Sequence, residues 1–286
     1  MTNICFPVAK INLGLNVVRR RADGYHELQT VFYPVPICDT LEINEMADGY
    51  PTPSDCDLKV GHMTLEGDEQ QNLVVKAYRL LKQEFPTLPR LHVHLWKVIP
   101  TQAGMGGGSS DGAYMLMLLN ERYNLQLTTP QLLDRAARLG ADCPFFVSSF
   151  STHDSTPAYY AEGIGERLSP LPLSLAGWTI VVVKPPVAVS TREAFSLITP
   201  QEPLENCRII TERPVETWRD SLVNDFEKSV FALHPEIGDI KQRLYDLGAT
   251  YAAMSGSGSA VFGLFRQSVT LPDEDTLGGQ IIVRQL

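Results

Sequence analysis

The feature that most constrains this 286-residue chain is a glycine-rich segment between a strand-like apolar pattern and a helix-like one. Four of the five residues from 104 to 108 are glycines, and Ser109 and Ser110 follow directly. Glycine lacks a Cβ atom, so its backbone adopts positive φ values and approaches a ligand closely. Successive N–H groups can then form an anion-binding concavity, to which the following helix adds its N-terminal dipole. The order strand, loop, paired serines and helix favours a phosphate-holding loop over a flexible turn.

Three common glycine loops do not fit this segment. The dinucleotide pattern G-x-G-x-x-G matches Gly104 and Gly106 but requires glycine where Ser109 stands. A Walker A loop ends in G-K-[ST], and this loop has no lysine. Protein kinases carry HRD and DFG motifs, and neither occurs in the chain. The loop is therefore expected to belong to another class of phosphate-binding protein.

Composition excludes several other classes of protein. The net charge of −9 argues against a nucleic-acid or acidic-membrane partner, because both require a basic surface. No segment reaches the roughly 18 consecutive apolar residues that a membrane helix needs. The five cysteines are scattered and form no CxxC pair, so neither a disulfide framework nor a zinc site is indicated. The first residues do not resemble a signal peptide, so we expect a cytosolic location.

Apolar periodicity predicts the elements around the loop. Alternation predicts strands at residues 10–18 and 91–95, and helical spacing predicts helices at residues 72–85 and 129–139 and from residue 109 onward. Residues 45–61 are rich in Pro, Asp and Gly, and we expect a loop around a weak hairpin there. Further predicted strands cover residues 27–35, 39–43, 178–184 and about 260–265, the last in the chain, and further helices cover residues 192–197, 225–233 and 236–247. This alternation, with a polar stretch near residues 150–165, favours an α+β protein of two domains.

Three motifs together resemble the GHMP kinase superfamily. Residues 100–113, PTQAGMGGGSSDGA, resemble its glycine loop, although Met105 and Gly112 replace a usual leucine and alanine. The segment from Lys10, KINLGL, resembles its N-terminal motif, and the segment from Met254, MSGSGS, resembles its C-terminal one. The resemblance implies an α+β GHMP kinase fold with an N-terminal domain like ribosomal protein S5 domain 2 and a ferredoxin-like C-terminal domain. We place these domains at residues 1–160 and 161–286.

Other segments resemble one branch of the superfamily, which phosphorylates the 2-hydroxyl of 4-diphosphocytidyl-2-C-methyl-D-erythritol in the non-mevalonate route to isoprenoids. They are RRRADGYHEL at residues 19–28 and LGADCPFF at residues 139–146, with shorter matches at residues 161–166 and 224–227. The resemblance implies ATP with Mg²⁺ as cofactors and this cytidyl-diphospho compound as the small-molecule substrate. A GHMP kinase for another alcohol and a non-catalytic ligand-binding relative are the alternatives.

The resemblance implies a catalytic role for Asp142 and Lys10. Phosphoryl transfer needs a group that accepts the proton of the attacking hydroxyl, and Asp142 stands in an apolar run where an unpaired carboxylate is costly. Lys10 would stabilise negative charge beside it. Asn12 lies two residues further on, so it shares a strand face with Lys10. The alternatives are a capping aspartate and a solvent-exposed lysine at a strand edge.

Ligand contacts are likewise implied by the resemblance. Tyr25 and His26 would bind the cytosine by stacking and hydrogen bonding, and Asn12, Asp142 and Thr191 would also contact the substrate. Lys97 is equally well read as an ordinary lysine at a strand end, and residues 255–259 as support for the loop or as ligand contacts. The residues implied in ATP binding are Asn72, Leu73, Lys97, Pro100, Ala103, Gly104, Met105, Gly106, Gly107, Gly108, Ser109 and Ser110. His92 and His94 share a strand face without a third ligand, so we expect no protein metal site.

Overall fold

The computed structural model describes residues 2–64, 67–151, 158–267 and 269–286. Helices and strands alternate along the chain, which confirms the predicted α+β class. The strands are β1 (Ile4–Cys5), β2 (Val8–Arg20), β3 (His26–Cys38), β4 (Thr40–Glu45), β5 (Cys56–Gly61), β6 (Leu91–Trp96), β7 (Ala158–Gly163), β8 (Arg167–Leu171), β9 (Thr179–Lys184), β10 (Tyr251–Met254), β11 (Val261–Phe265) and β12 (Gln280–Gln285). The helices are α1 (Leu73–Glu84), α2 (Gly107–Arg122), α3 (Thr129–Leu139), α4 (Cys143–Ser151), α5 (Thr191–Phe195), α6 (Cys207–Thr211), α7 (Phe226–Leu233), α8 (Pro235–Asp246) and α9 (Glu274–Leu277).

The chain forms two compact units whose segments alternate along the sequence. The first unit contains the residues up to Ala9, Ile37–Thr101, and the chain from Gly106 through α4. The second contains Lys10–Pro36, Gln102–Met105, and the chain from β7 onward. The glycine loop is therefore divided between the two units after Met105. The predicted domain boundary at residue 160 divides the chain at one point, whereas the segments of the two compact units alternate along it. That domain boundary stays a prediction.

In the first unit, helices cover one face of the sheet β1-β4-β6-β5. Helix α1 starts at the predicted place because the side chain of Asn72 caps it, accepting a hydrogen bond from Val74 N. Helix α2 is buried on all sides from Ser110 to Leu119, as expected for a helix that is apolar around most of its circumference. The residues directly preceding α2 therefore lead into one of the most enclosed parts of this unit.

The second unit contains the sheets β2-β3-β7-β8 and β10-β11-β9-β12. Helices α7 and α8 pack on the second sheet, with Ile237, Ile240 and Leu244 of α8 in its core beside Val181 and Val183 of β9. These apolar residues follow the helical and alternating spacings from which both elements were predicted. Strand β2 also belongs to this unit from Lys10 onward, and it carries the first motif of the sequence.

Two predictions about strands were wrong. Residues 45–61 contain β5, which runs parallel to β6 and buries Cys56 and Leu58. Its apolar pattern is short and is surrounded by Pro, Asp and Gly residues, which is why a loop was predicted there. Strand β12 follows the strand expected to be the last; it lies at a sheet edge, and Ile282 is its one buried residue, so its apolar signal is weak. Of the predicted polar boundary, residues 152–157 lie outside the described residues, and β7 occupies much of the rest.

Candidate active site

The second half of the glycine loop forms the start of α2. Gly106 caps the helix in a left-handed conformation (φ 69°, ψ 17°), which glycine adopts without steric cost, and its carbonyl accepts a hydrogen bond from Ser110 N. A Cβ atom on Gly108 would meet nothing within 4 Å, so the protein itself does not require glycine there. The N–H groups of this first turn have no partner within the helix. The geometry therefore suits an anion that approaches the backbone at Gly108.

The first half of the loop is packed against the C-terminal glycine motif in the second unit. A Cβ atom on Gly104 would lie 1.9 Å from the carbonyl oxygen of Ser255, so no other residue fits there without movement of the backbone. Ser255 Oγ donates a hydrogen bond to the Gly104 carbonyl (3.0 Å), and Ala260 N donates one to the Ala103 carbonyl (3.3 Å). The C-terminal motif thus supports the loop, which was one of its two predicted roles.

Lys97 is fully enclosed between two carboxylates of the first unit. Its Nζ donates to Asp111 Oδ2 (2.7 Å) and to Asp39 Oδ2, and all three residues are 2% exposed or less. Burial alone would lower the pKa of Lys97, but the two aspartates outweigh it and the pKa is raised. Burial raises the pKa of Asp111, and the charge of Asp39 adds to this against the attraction of Lys97. Asp39 was not among the site residues predicted from the sequence.

Asn72 and Leu73 lie at the start of α1, beside α2 and an open cavity. A Cβ atom on Gly112 of α2 would lie 2.8 Å from Leu73 Cβ, so the two helices approach closely there. The cavity has a volume of about 630 Å³ and is lined in part by Leu58, Val60 and Asn72. The rest of its lining is mixed, with Met63 beside polar residues that include Asp68 and Glu69.

Asp142 directly precedes α4 and is half-buried in the first unit. Its neighbours in the chain lie against the glycine loop. A Cβ atom on Gly140 would be 4.0 Å from Ser109 Oγ, and the Cys143 thiol is hydrogen-bonded to the Ser109 side chain. Burial raises the pKa of Cys143 to about 12, so this thiol is neutral and unreactive at physiological pH. The structure therefore brings the segment that carries Asp142 beside Ser109.

A line of polar groups crosses the buried strands β2 and β3 of the second unit. Lys10 Nζ donates to Asn12 Oδ1 (2.6 Å) and lies 4.9 Å above the ring of Phe32. Asn12 Nδ2 donates to Thr30 Oγ1 (2.9 Å), which donates to the Gly14 carbonyl (2.6 Å). The prediction that Lys10 and Asn12 share a strand face is confirmed. Because Asn12 is held by Lys10 and Thr30, the geometry favours its orienting the Lys10 ammonium.

Tyr25 and His26 lie at the turn between β2 and β3. Gly24 takes a positive φ of 88° there, and Asp23 Oδ1 accepts a hydrogen bond from Tyr25 N (3.1 Å). Arg21 holds the other oxygen of Asp23 at 2.8 Å. Tyr25 is 61% exposed, so its side chain is accessible to a ligand.

His26 stacks on Phe195, which was not among the site residues predicted from the sequence. The ring centroids are 4.5 Å apart with an interplanar angle of 21°, and Phe226 supports Phe195 edge-on at 4.7 Å. Phe195 ends α5, and Thr191 begins it, so these two residues lie one turn apart on the same side of the helix. The structure thus brings Thr191 and His26 to one region of the second unit.

The predicted site residues therefore form two groups, one in each compact unit. The first unit contains Asp142 and the ATP residues from Asn72 to Pro100 and from Gly106 to Ser110, and the second contains Lys10, Asn12, Tyr25, His26, Thr191 and residues 103–105. Lys10 and Asp142 belong to different units, so their pairing stays a prediction.

Within the described part of the chain, no group of three or more His, Cys, Asp or Glu residues could hold a metal ion. One hydroxyl at the start of α2 is a candidate contact for an ion. Ser110 Oγ is fully buried, and it neither accepts nor donates a hydrogen bond among the described residues. In the same part of the chain, no helix combines the length and apolar character needed to cross a membrane.

Comparison with family models identifies the class of protein. Residues 72–150 match the GHMP kinases N terminal domain, and residues 210–276 match the GHMP kinases C terminal domain. The fold agrees, since L. major mevalonate kinase superposes on all of this chain with a TM-score of 0.63 at 14% identity. The glycine loop, the two matched domains and the fold are those of GHMP kinases.

Closer relatives identify the branch. The chain is 51% identical over 276 residues to 4-diphosphocytidyl-2-C-methyl-D-erythritol kinase of Bacteroides thetaiotaomicron, with 95% of each chain covered, and 52% identical over 262 residues to the same enzyme of Bacteroides fragilis, with 92% of each covered. A crystal structure of 4-(cytidine 5'-diphospho)-2C-methyl-D-erythritol kinase matches with a TM-score of 0.77 at 32% identity, covering 98% of this chain and 97% of the other. The chain belongs to the 4-diphosphocytidyl-2-C-methyl-D-erythritol kinase family.

Proposed function

We propose that this chain transfers the γ-phosphoryl group of ATP to the 2-hydroxyl of 4-diphosphocytidyl-2-C-methyl-D-erythritol, in the methylerythritol phosphate route to isoprenoids. Membership of the family supports the acceptor. The observation that carries phosphoryl transfer is geometric: the segment bearing Asp142 lies against Ser109 at the N-terminus of α2. This proximity supports the proposal that the Asp142 carboxylate acts beside bound phosphates. A cytosolic location stays a prediction.

The phosphates of ATP are proposed to bind at Gly106–Ser110. The free N–H groups and the dipole at the start of α2 favour negative charge there, and the open space at Gly108 allows a phosphate oxygen to reach the backbone. The cavity beside Asn72 is proposed to take the adenine, because its lining combines apolar side chains such as Leu58 and Val60 with the amides of Gln71 and Asn72. The ATP contacts of Pro100, Ala103, Gly104 and Met105 stay predictions.

The residues at the start of α2 fit a magnesium ion that accompanies ATP. Mg²⁺ is usually bound through one or two protein groups together with phosphates and water, so a dedicated cluster of carboxylates is not required. Ser110 Oγ is an orphaned buried hydroxyl among the described residues, and it is the group proposed to hold the ion. When bound, the ion would neutralise charge on the transferring phosphates.

Asp142 is proposed to accept the proton of the substrate 2-hydroxyl, and Lys10 to stabilise the negative charge that develops on its oxygen. Phosphoryl transfer depends mainly on positioning and electrostatic stabilisation, so a fixed cation is as useful as a base. The contact of Lys10 with Asn12, which Thr30 fixes in turn, orients the ammonium before substrate binds.

The cytosine of the acceptor is proposed to stack on Tyr25, with His26 bonding to the edge of the base. The stack of His26 on Phe195 fixes the imidazole plane, and Thr191 on the same side of α5 offers a hydroxyl to the substrate. Stacking by itself accepts any base, so we assign selectivity to His26. A substrate contact of Asn12 stays a prediction.

The experiment that tests the acceptor measures ADP release with the cytidyl-diphospho substrate, mevalonate, homoserine and galactose in parallel. We expect turnover with the first compound alone. Turnover with a different alcohol would favour a GHMP kinase of another specificity. ATP binding without turnover of any compound would favour a non-catalytic relative.

The role of Asp142 is tested by Asp142→Asn. This change keeps the shape of the side chain and removes the base, so turnover should fall roughly 10²–10⁴-fold while ATP binds as before. The matched control is Asp134→Asn, an exposed aspartate on α3 of the same unit, which should change neither quantity. Near-normal turnover in Asp142→Asn would remove Asp142 from the mechanism.

A further inference from the structure

Three buried charged side chains, Asp39, Lys97 and Asp111, occupy the two ends of the glycine loop in the first unit. Asp39 lies between β3 and β4, Lys97 directly follows β6, and Asp111 is in the first turns of α2. The exposed fractions of these residues are 0%, 2% and 2%, in the same order. Burying three charges is costly unless they are paired and hydrogen-bonded, so their place beside the loop calls for a physical reason.

The cluster fixes the chain where it enters the loop. Asp39 Oδ1 accepts hydrogen bonds from Val98 N and Ile99 N (2.8 Å for Ile99), while Asp39 Oδ2 accepts one from Lys97 Nζ. One carboxylate thus binds three consecutive residues directly before Pro100. Lys97 N still donates to the carbonyl of Gly61 in β5 (3.1 Å), and beyond the end of β6 at Trp96 the Asp39 carboxylate accepts from the next two N–H groups.

The cluster also fixes the chain where it leaves the loop. Lys97 Nζ donates to Asp111 Oδ2 at 2.7 Å, and Asp111 directly follows Ser110 in the chain. A Cβ atom on Gly107 would lie 3.0 Å from Ile99 Cγ2 and 3.3 Å from Lys97 Nζ, so Lys97 packs directly beneath the first turn of α2. A single ammonium therefore connects the last residues before the loop to the helix after it.

The charges of the cluster suit this place. An unpaired ammonium beneath a helix N-terminus would be repelled by the positive end of the helix dipole. The two carboxylates remove that repulsion and leave the N–H groups of the first turn to act on a ligand. Two of the three N–H donors of this ammonium go to protein carboxylates, and Lys97 is only 2% exposed, so little of the ammonium is open to a ligand.

We propose that Asp39, Lys97 and Asp111 are positioning residues, which hold Gly106–Ser110 in the conformation that binds ATP phosphates and act on ATP through the loop. This rests on the proposed function and specifies how its phosphate site is kept in shape. It competes with the direct contact between Lys97 and ATP predicted from the sequence.

The test compares ATP dissociation constants, measured by titration without acceptor, in variants whose folding is verified by thermal unfolding. Asp111→Ala removes the tie to α2 and leaves the pair of Lys97 with Asp39, so ATP should bind roughly tenfold more weakly or worse, because small misplacements of a site are costly. Asp111→Asn retains an oxygen acceptor of the same shape and should recover most of this affinity. In turnover assays, the KM for ATP should rise in Asp111→Ala while the KM for the acceptor stays unchanged.

The matched control is Tyr78→Phe, which removes a part-buried hydrogen bond of the first unit, from Tyr78 Oη to the Pro89 carbonyl (2.8 Å). It should lower the unfolding temperature without weakening ATP binding. Equal weakening in Tyr78→Phe and Asp111→Ala would overturn the proposal, because a general loss of stability would then explain both. Weakening in Lys97→Met but not in Asp111→Ala would instead establish a direct contact of Lys97 with ATP. If the wild-type chain phosphorylated no acceptor, the proposed function would be contradicted. The comparison of ATP dissociation constants, which needs no acceptor, would still test the positioning role.

Discussion

The two glycine-rich segments of the molecule are both fixed by buried side chains, but by side chains of different kinds. The loop around Gly106 is tied at both ends by the charged cluster of Asp39, Lys97 and Asp111. The segment around Gly256 is tied by the neutral amide of Asn224, which donates to the carbonyls of Met254 and Gly256 at 2.8 Å each.

This difference has energetic consequences. Removing one member of a buried ion pair leaves an uncompensated charge, whereas removing a neutral donor leaves one or two carbonyls without a partner. The charged arrangement is therefore less tolerant of substitution. It stands next to the turn proposed to hold phosphate, where a helix dipole already imposes a field, and the neutral arrangement supports the other half of the loop through Ser255.

The largest effect is expected for Asp39→Ala. It removes one partner of Lys97 and leaves Val98 N and Ile99 N without their acceptor, so the free energy of unfolding should fall by about 3–5 kcal/mol. Chemical denaturation of the purified variant measures this fall. The companion variant Asp39→Asn keeps an oxygen for the two N–H groups and loses the charge, so its loss should be smaller. A loss for Asp39→Ala equal to that of Asn224→Ala in the other segment would erase the contrast between the two segments.

A smaller effect is expected for Asn224→Ala. The amide makes two hydrogen bonds to buried carbonyls, and its Oδ1 accepts another from Phe226 N, so the free energy of unfolding should fall by about 2–3 kcal/mol. The control is Ser221→Ala, whose exposed hydroxyl bonds to the Thr217 carbonyl and whose loss should be barely measurable. A loss for Asn224→Ala that exceeds that of Asp39→Ala would reverse the comparison.

Features with a local signature were predictable from the sequence. The glycine loop, helix α1 and helix α3 depend on spacing and capping within a few residues, and α3 has the predicted bounds of residues 129–139 with a capping box at Thr128. The shared strand face of Lys10 and Asn12 follows from the two-residue period of a strand.

Features that depend on distant partners were not predictable. Lys97 reads as a lysine at a strand end until Asp39, 58 residues earlier, is seen to enclose it. Phe195 reads as a core residue of a short helix until His26 is found against it. Strand β5 gains its identity from its parallel pairing with β6 across the intervening helix α1. A periodic pattern contains no information on such partners, although an isolated aspartate between the apolar residues of β3 and β4 could have drawn attention to position 39.

The smallest effect is expected for Ser255→Ala, and it addresses whether the neutral segment influences the ligand at all. Ser255 Oγ donates to the Gly104 carbonyl at 3.0 Å, and its loss should lower the free energy of unfolding by about 1 kcal/mol. Ser259→Ala is the matched control, because the Ser259 hydroxyl bonds to the Val187 carbonyl at 2.6 Å and its removal leaves the backbone contact of Ser259 with Gln102 in place. Both variants should lose similar stability, and only Ser255→Ala should weaken ATP binding, since Gly104 belongs to the loop. Equal ATP affinity in the two variants would mean that the charged cluster alone sets the conformation of the phosphate site.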